Sequence, residues 1–306
     1  MSLLVGFAPD ARGKAVLHLA GMLARSADED LLVCAVVPAP WYPSAARVDA
    51  EYQDYLQETA NAALEKARTR LSSDIPSTFV VHDARSVPAG LLELAEQRDA
   101  SLILVGSSPA GGSGHVTLGS ASGRLLYSSP RPVAIAPRGF RCAPDARVTR
   151  VTAAFGGTES AENLVIAAAS VAARVGAKLR LASFAVRSRA PYTVAVGTQA
   201  DEDMFTQWRA EMVAAGQAAL AKVADLPAVP TECETALGRG ESWEEALDDL
   251  EWDDGDVLVV GSSTIGPVAR VFLGSRGAKI VRHAPVPVVV VPRGAAAEIA
   301  EEAQAA

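Results

Sequence analysis

Two glycine-rich turns are the stretches of this 306-residue chain whose residue types and spacing could do chemistry. Gly106 is followed after twelve residues by Gly119-Ser120, and Gly261 after twelve residues by Gly274-Ser275. A glycine leaving a strand, with a second glycine opening a helix, presents backbone N–H groups to an anion. The hydroxyls of Ser107, Ser120, Ser262 and Ser275 could donate to the same anion or cap the helices that follow. His115, Arg124, Arg270 and Arg276 lie in or just after the turns and could neutralise its charge or face water. The glycines also have a plainer reading as tight strand exits. No catalytic constellation accompanies them. His18, His82, His115 and His283 are scattered, and none stands beside a Cys or Ser in a recognisable nucleophile turn.

The two turns are copies of one another. Residues 105–139 return 155 positions later as residues 260–294, with fifteen of 35 positions identical and no gap. The elements that must position each turn repeat as well. Apolar runs predict buried strands over 3–7, 31–37, 78–81, 102–105 and 133–136, then over 151–155, 178–186, 231–235, 257–260 and 288–291. Helical spacing of apolar residues fills the intervals, notably over 51–71, 87–98, 120–128, 163–175, 204–223, 242–250 and 275–282. Ser160 is the expected cap of the helix over 163–175. Strands alternating with helices give an α/β fold of two tandem doubly wound domains, each with a five-stranded parallel sheet in the order 3-2-1-4-5. Domain 1 is expected over 1–140, a linker over 141–148, domain 2 over 149–294, and an Ala/Glu-rich tail, frayed helix or disordered, over 295–306. Proline fences the last strand of each half, which suits a short edge strand with one neighbour in its own sheet. Its natural second partner is the matching strand of the other half, giving a pseudo-twofold pair inside one chain.

Composition excludes several classes of function. A formal charge of −8 and a pI near 5.1 argue against a nucleic-acid partner and against anionic membrane surfaces. No apolar run approaches the ~20 residues that span a bilayer. The start lacks the pattern of a signal peptide. Cys34, Cys142 and Cys233 share no metal or redox spacing, and Cys34 and Cys233 read as buried free thiols in strands, as suits the reducing cytoplasm. The acidic run 241–256 reads as a solvated helix face, with Trp243 and Trp252 packing beside it. Residues 38–48 and 187–199, which carry Trp41, Tyr42 and Tyr192, read as lids, interface loops or plain connections.

The tandem repeat, the order of elements, the G-x(12)-G-S spacing and the closing P-x-P-V strands (Pro130 and Pro132; Pro285 and Pro287) resemble the universal stress protein family in its two-domain form. The resemblance covers nearly the whole chain. It implies binding of ATP or AMP, with no metal beyond nucleotide-associated magnesium, by a cytoplasmic regulator of the stress response. A further homodimer stays open. The binding residues it implies are Gly261, Ser262, Ser263, Gly274, Ser275, Arg276 and Phe184 in the second half. In the first half they are Gly106, Ser107, Gly119, Ser120, Ser122 and Val36. Val36 and Phe184 match places where the family's backbone meets adenine, or are plain core. The chain departs from the family twice over. Pro109 and Thr264 replace the middle glycine of G-x2-G-x9-G-[ST], with Gly111, Gly112 and Gly114 as substitutes in the first loop. Ala8 and Gly156 replace the aspartate that grips the ribose, while Asp10 stands two positions on and points elsewhere. Any nucleotide should therefore favour the second half. The alternative is a degenerate member serving as a structural or protein-interaction module. No enzymatic role is expected beyond the weak ATP hydrolysis that the resemblance allows.

Overall fold

Apolar runs punctuated by glycine, proline and charge become short strands, and the stretches between them become helices that cover both faces of those strands. The computed structural model describes residues 2–39, 47–110, 112–157, 161–186, 198–262 and 274–305. The first half runs β1 (Ser2–Gly6), α1 (Ala11–Ala27), β2 (Asp30–Pro38), α2 (Arg47–Arg68), β3 (Ser77–Ala84), α3 (Val87–Gln97), β4 (Ala100–Gly106), α4 (Ser120–Ser128) and β5 (Val133–Ala136). The second half repeats it as β6 (Arg150–Ala154), α5 (Glu162–Val175), β7 (Lys178–Val186), α6 (Thr198–Ala224), β8 (Cys233–Gly240), α7 (Trp243–Asp248), β9 (Asp256–Gly261), α8 (Ser275–His283) and β10 (Val288–Val291). A final helix, α9 (Arg293–Ala305), follows.

The strands form one ten-stranded sheet in the order β3-β2-β1-β4-β5-β10-β9-β6-β7-β8. Pairing is parallel within each half. It is antiparallel only where the halves meet, Val288 facing Ile135, Val289 facing Ala134 and Val290 facing Val133. Alternation along each strand sorts its side chains between two helix layers. Leu3 and Val5 of β1 join α1, α2, α5 and α9 in one core, and Leu4 joins α3, α4 and α8 in the other. Both cores contain residues of both halves, so burial is continuous across the β5–β10 seam. Full burial of a valine contributes about 1.5–3 kcal/mol, and Val133, Val288 and Val290 are all fully covered.

Several expectations need correction. The strand expected over 231–235 runs instead over Cys233–Gly240. In the fold, α7 lies directly on that strand, and a Cβ at Gly238 would overlap the carbonyl oxygen of Ala246. Cys233 therefore sits on the outermost strand and is exposed, whereas Cys34 is buried in β2 and burial pushes its thiol up to about 12. The cap of α5 is Ala161, with no side-chain hydrogen bond. Ser160 lies outside the described residues, as do the aromatics Trp41, Tyr42 and Tyr192 of the candidate lids. The tail is the helix α9, whose Ala296 and Ala300 are buried among the packed residues of α5.

Asp256 is the exception within the acidic run. It is buried at the amino edge of the sheet, where the Arg150 guanidinium meets it at 2.6 Å. Buried Arg180 stacks on Trp252 with its guanidinium carbon 4.5 Å from the ring centroid. This charged cluster lies at the end of the sheet opposite the glycine turns.

Candidate functional site

Both glycine turns sit where strands deliver them, at the carboxyl edge of the sheet, the edge at which ligands of doubly wound sheets bind. Gly106 ends β4 and Gly261 ends β9. From that common position the two halves diverge.

In the first half the turn is folded onto itself. The Ser107 amide donates to the Ala136 carbonyl at 3.1 Å, and the Ser107 hydroxyl donates to the same oxygen at 2.8 Å. That hydroxyl also accepts from the Thr117 amide at 3.2 Å. The Ser108 amide donates to Thr117 O and the Gly114 amide to Arg138 O. The amides that might have met an anion are thus spent within the loop and on the exit of β5. Ser122 is buried and its hydroxyl accepts from the Gly119 amide at 2.8 Å, closing the start of α4. Ser120 and Arg124 are exposed on that helix. Val36 packs against α3, its methyl 2.9 Å from where a Cβ on Gly90 would stand, so it is core there.

The approach from β1 is equally occupied. Asp10 caps α1 by accepting from the Arg12 amide at 2.8 Å and from the Arg12 Nε at 2.8 Å. Burial opposes ionisation of this carboxyl, but the Arg12 hydrogen bonds and charge outweigh it and hold Asp10 below the usual carboxylate range. Asp10 therefore serves the helix and not a ligand. The start of α1 lies on the turn: a Cβ on Gly106 would stand 2.7 Å from Arg12 O, and one on Gly13 would overlap Ala8 O. His115 reaches across the seam, its Nδ1 3.4 Å from His283 O and its Nε2 3.9 Å from a Glu244 carboxylate oxygen.

In the second half the described residues leave a cleft in the corresponding place. A cleft of about 220 Å3 is lined by Ala154, Phe155 and Gly156 at the end of β6, by Ala161 and Leu164 at the start of α5, and by Phe184 of β7. Trp208 and Met212 of α6, Trp243 of α7, Val260, Gly261 and Ser262 of the turn, and Arg276, Gly277 and Ile280 of α8 complete it. A Cβ on Gly156 would meet nothing within 4 Å. Ala161 opens α5 and Gly274 opens α8, each with no side-chain hydrogen bond of its own. Gly277 stands where the first half has the capping Ser122. Among the described residues no side chain caps α8 at Gly274, as none caps α4 at Gly119, and the helix dipole favours negative charge at this end. The Ser262 hydroxyl accepts from the Arg293 amide at 2.9 Å, and Ser275 and Arg276 are exposed at the mouth. Ser263, Thr264 and Arg270 lie outside the described residues.

Next to this cleft, across Phe155 and Met212, lies a second of about 370 Å3 between α6 and the strands β7 and β8. Arg209 and Arg239 stand on its rim, and the Arg239 guanidinium lies 4.7 Å from the Phe205 ring centroid. Together the two clefts reach the usual size of a small-ligand site, about 300–1,000 Å3. The family resemblance pointed to Phe184, Gly261, Ser262 and Arg276, which line this cleft. The sequence pattern missed Trp208 and Met212 on the long helix, and it assigned Trp243 to packing. The signal for Trp208 is weak, an aromatic on a helix more than fifty residues from the turn, and only the fold brings them together. No group of three or more His, Cys, Asp or Glu able to hold a metal is found among the described residues. No helix among them is long and apolar enough to cross a membrane.

Comparison with known proteins supports this division into halves. The family model described as "Universal stress protein family" matches residues 1–137 and again 147–292. The universal stress protein Rv2319c of Mycobacterium tuberculosis is 38% identical over 296 residues, spanning 95% of this chain and 100% of the relative. The crystal structure of a universal stress protein from Archaeoglobus fulgidus shares the fold with a TM-score of 0.62 at 21% identity, over 96% of this chain and 98% of that one. A functionally unknown protein of Pseudomonas aeruginosa superposes with a TM-score of 0.57 at 16% identity, over 100% of this chain and 97% of that one. With both repeats matched in order and a curated relative aligned along nearly its full length, the chain belongs to the universal stress protein family.

Proposed function

We propose that the chain is a regulator that binds one adenine nucleotide, ATP or AMP, in the second half. The observation that carries this reading is the open cleft at the ends of β6 and β9, onto which the uncapped N-terminus of α8 faces. Phosphates would rest on the amides of Gly274, Ser275 and Arg276 and against the Arg276 guanidinium, with the base toward Phe184. The helix terminus and the guanidinium both favour an anion. No carboxylate or imidazole is among the described residues lining the cleft, and the proposal is a binding role with only the magnesium that accompanies the nucleotide.

Calorimetry on the full chain with ATP, AMP and cyclic AMP tests this. One site per chain is expected, and Gly274→Val should remove it while the circular dichroism stays unchanged. Two sites of like affinity, or binding retained in the variant, would overturn the assignment. The first half favours the second reading, that of an interaction module. Its loop is tied into its own backbone, and its His115 leans on α7 and α8. We assign that structural role to the first half.

A further inference from the structure

The segments that leave the two innermost strands begin alike and then part. Pro137-Arg138-Gly139 follows β5, and Pro292-Arg293-Gly294 follows β10. In the first half the Arg138 amide donates to the His115 carbonyl at 3.1 Å, and the chain runs on as the linker to β6. In the second half the Arg293 amide donates to the Ser262 hydroxyl oxygen at 2.9 Å, and the chain runs on as α9. Ser262 belongs to the turn after β9 and lines the cleft, and its own amide donates to Val291 O at 3.0 Å. The first amides of a helix have no carbonyl within the helix to meet. Arg293 opens α9, and its amide is satisfied by a side chain of the candidate site. The rest of α9 lies along α5, with Ala296 and Ala300 buried and Ala295, Ile299 and Ala303 packed against the same core. The start of α5 is another wall of the cleft, through Ala161 and Leu164. α9 is therefore joined to two walls at once. A helix of 13 residues is marginal by itself in water, and most of the side chains it buries are single methyl groups. Its docking rests on the α5 contact and on its cap.

Resting on the nucleotide reading above, we propose that α9 is a strap whose docking is coupled to occupancy of the cleft, with Ser262 as the coupling residue. A serine hydroxyl has one proton to donate and two lone pairs with which to accept. Here a lone pair takes the Arg293 N–H, and the proton is the part that a phosphate oxygen can take. A hydrogen bond to an ionised phosphate is charge-assisted. It polarises the hydroxyl and so strengthens the next bond of the chain, the one to the Arg293 amide. Ligand thereby tightens the start of α9. By reciprocity a docked α9 holds the Ser262 side chain where the ligand needs it, and the two effects are equal in free energy. In the first half a linker leaves β5 in place of a helix, and the Ser107 hydroxyl is engaged by Ala136 O and Thr117 N.

Hydrogen exchange of the full chain with and without saturating ATP, beside calorimetry, tests the proposal. ATP should slow exchange of the α9 amides by about fivefold or more, the lower range of coupling between sites. Ser262→Ala should still bind ATP, more weakly, and should lose the slowing at α9 while ATP continues to slow exchange in β9 and α8. Ser262→Thr, which keeps the hydroxyl, should retain the slowing at α9. Ala300→Glu, which drives a charge into the α5 contact, should release α9 and weaken ATP binding by about the factor that ATP slows α9 in the native chain. ATP binding with no change at α9, or equal slowing there in Ser262→Ala, would overturn the strap and leave the nucleotide reading standing. Failure of ATP to bind the native chain would overturn both.

Discussion

The carboxyl edges of the two halves were built from one repeated unit and now hold different things. In the first, Asp10 caps α1, Arg12 O closes over Gly106, and Ser122 accepts from the Gly119 amide, while Ser107 and Ser262 bond to backbone alike. In the second, Ala161 and Gly274 begin α5 and α8 with no side-chain hydrogen bond of their own, beside a cleft. The glycines that mark the turns are shared, so glycine spacing does not distinguish a filled edge from an open one. Among the described residues the difference at these helix starts is that Asp10 caps α1 and Ser122 accepts from the Gly119 amide, whereas Gly277 stands at the Ser122 position.

The sharpest way to break this comparison is to put a carboxylate at the equivalent place in each half. Gly156→Asp enters open space, and a charge-assisted hydrogen bond contributes roughly 1.5–3 kcal/mol. ATP affinity should rise by about tenfold to a hundredfold, and 2′,3′-dideoxy-ATP should not follow. Ala8→Asp in the first half should give no new site, because the start of α1 fills the space beside it. Calorimetry on the two variants reads both outcomes, and equal gains would dissolve the distinction.

A smaller effect is expected from the turn glycines. Gly106→Ala must push the Arg12 backbone aside, and overpacking of that kind costs about 1–3 kcal/mol. Gly261→Ala first meets the Leu164 side chain at 3.2 Å, which can turn away, so its loss should be smaller. Urea unfolding midpoints measure the pair, and a larger loss at Gly261 would reverse the assignment of crowded and open edges.

The smallest effect concerns the first-half cap. Asp10→Ala should cost about 1 kcal/mol and leave nucleotide binding unchanged. Because the folded carboxyl is held below its ordinary range, its contribution is complete above the unfolded pKa of about 4 and is lost as the pH falls through the folded value. The stability gap between native and variant protein, measured by urea titration at neutral pH, should therefore shrink in acid. A gap that widens in acid would contradict the cap.

Much of this arrangement was legible before any fold was known. The offset repeat set the two-part plan, and apolar runs fenced by proline located β5 and β10 to the residue. Gly106 and Gly261 were placed at strand ends because a strand cannot easily continue through such turns. What remained hidden depended on tertiary approach. β8 runs past the strand expected over 231–235, through Gly238 and Gly240, because α7 presses on it there, and that contact is not local. Trp208 could not be joined to Gly261 by spacing, since the helix carrying it reaches the cleft only after the sheet is wound. The role of Ser107 was ambiguous between ligand and scaffold until its partners, Ala136 O and Thr117 N, could be named.

The antiparallel seam of β5 and β10 has a consequence for how such a molecule can change. Two identical subunits meeting at a twofold axis must alter both edges with every substitution. Here a single polypeptide supplies both sides of the axis, so a mutation falls on one edge alone. One copy is thereby free to specialise as scaffold while its sibling keeps an accessible hollow, and symmetry persists in the backbone after it has lapsed in the chemistry.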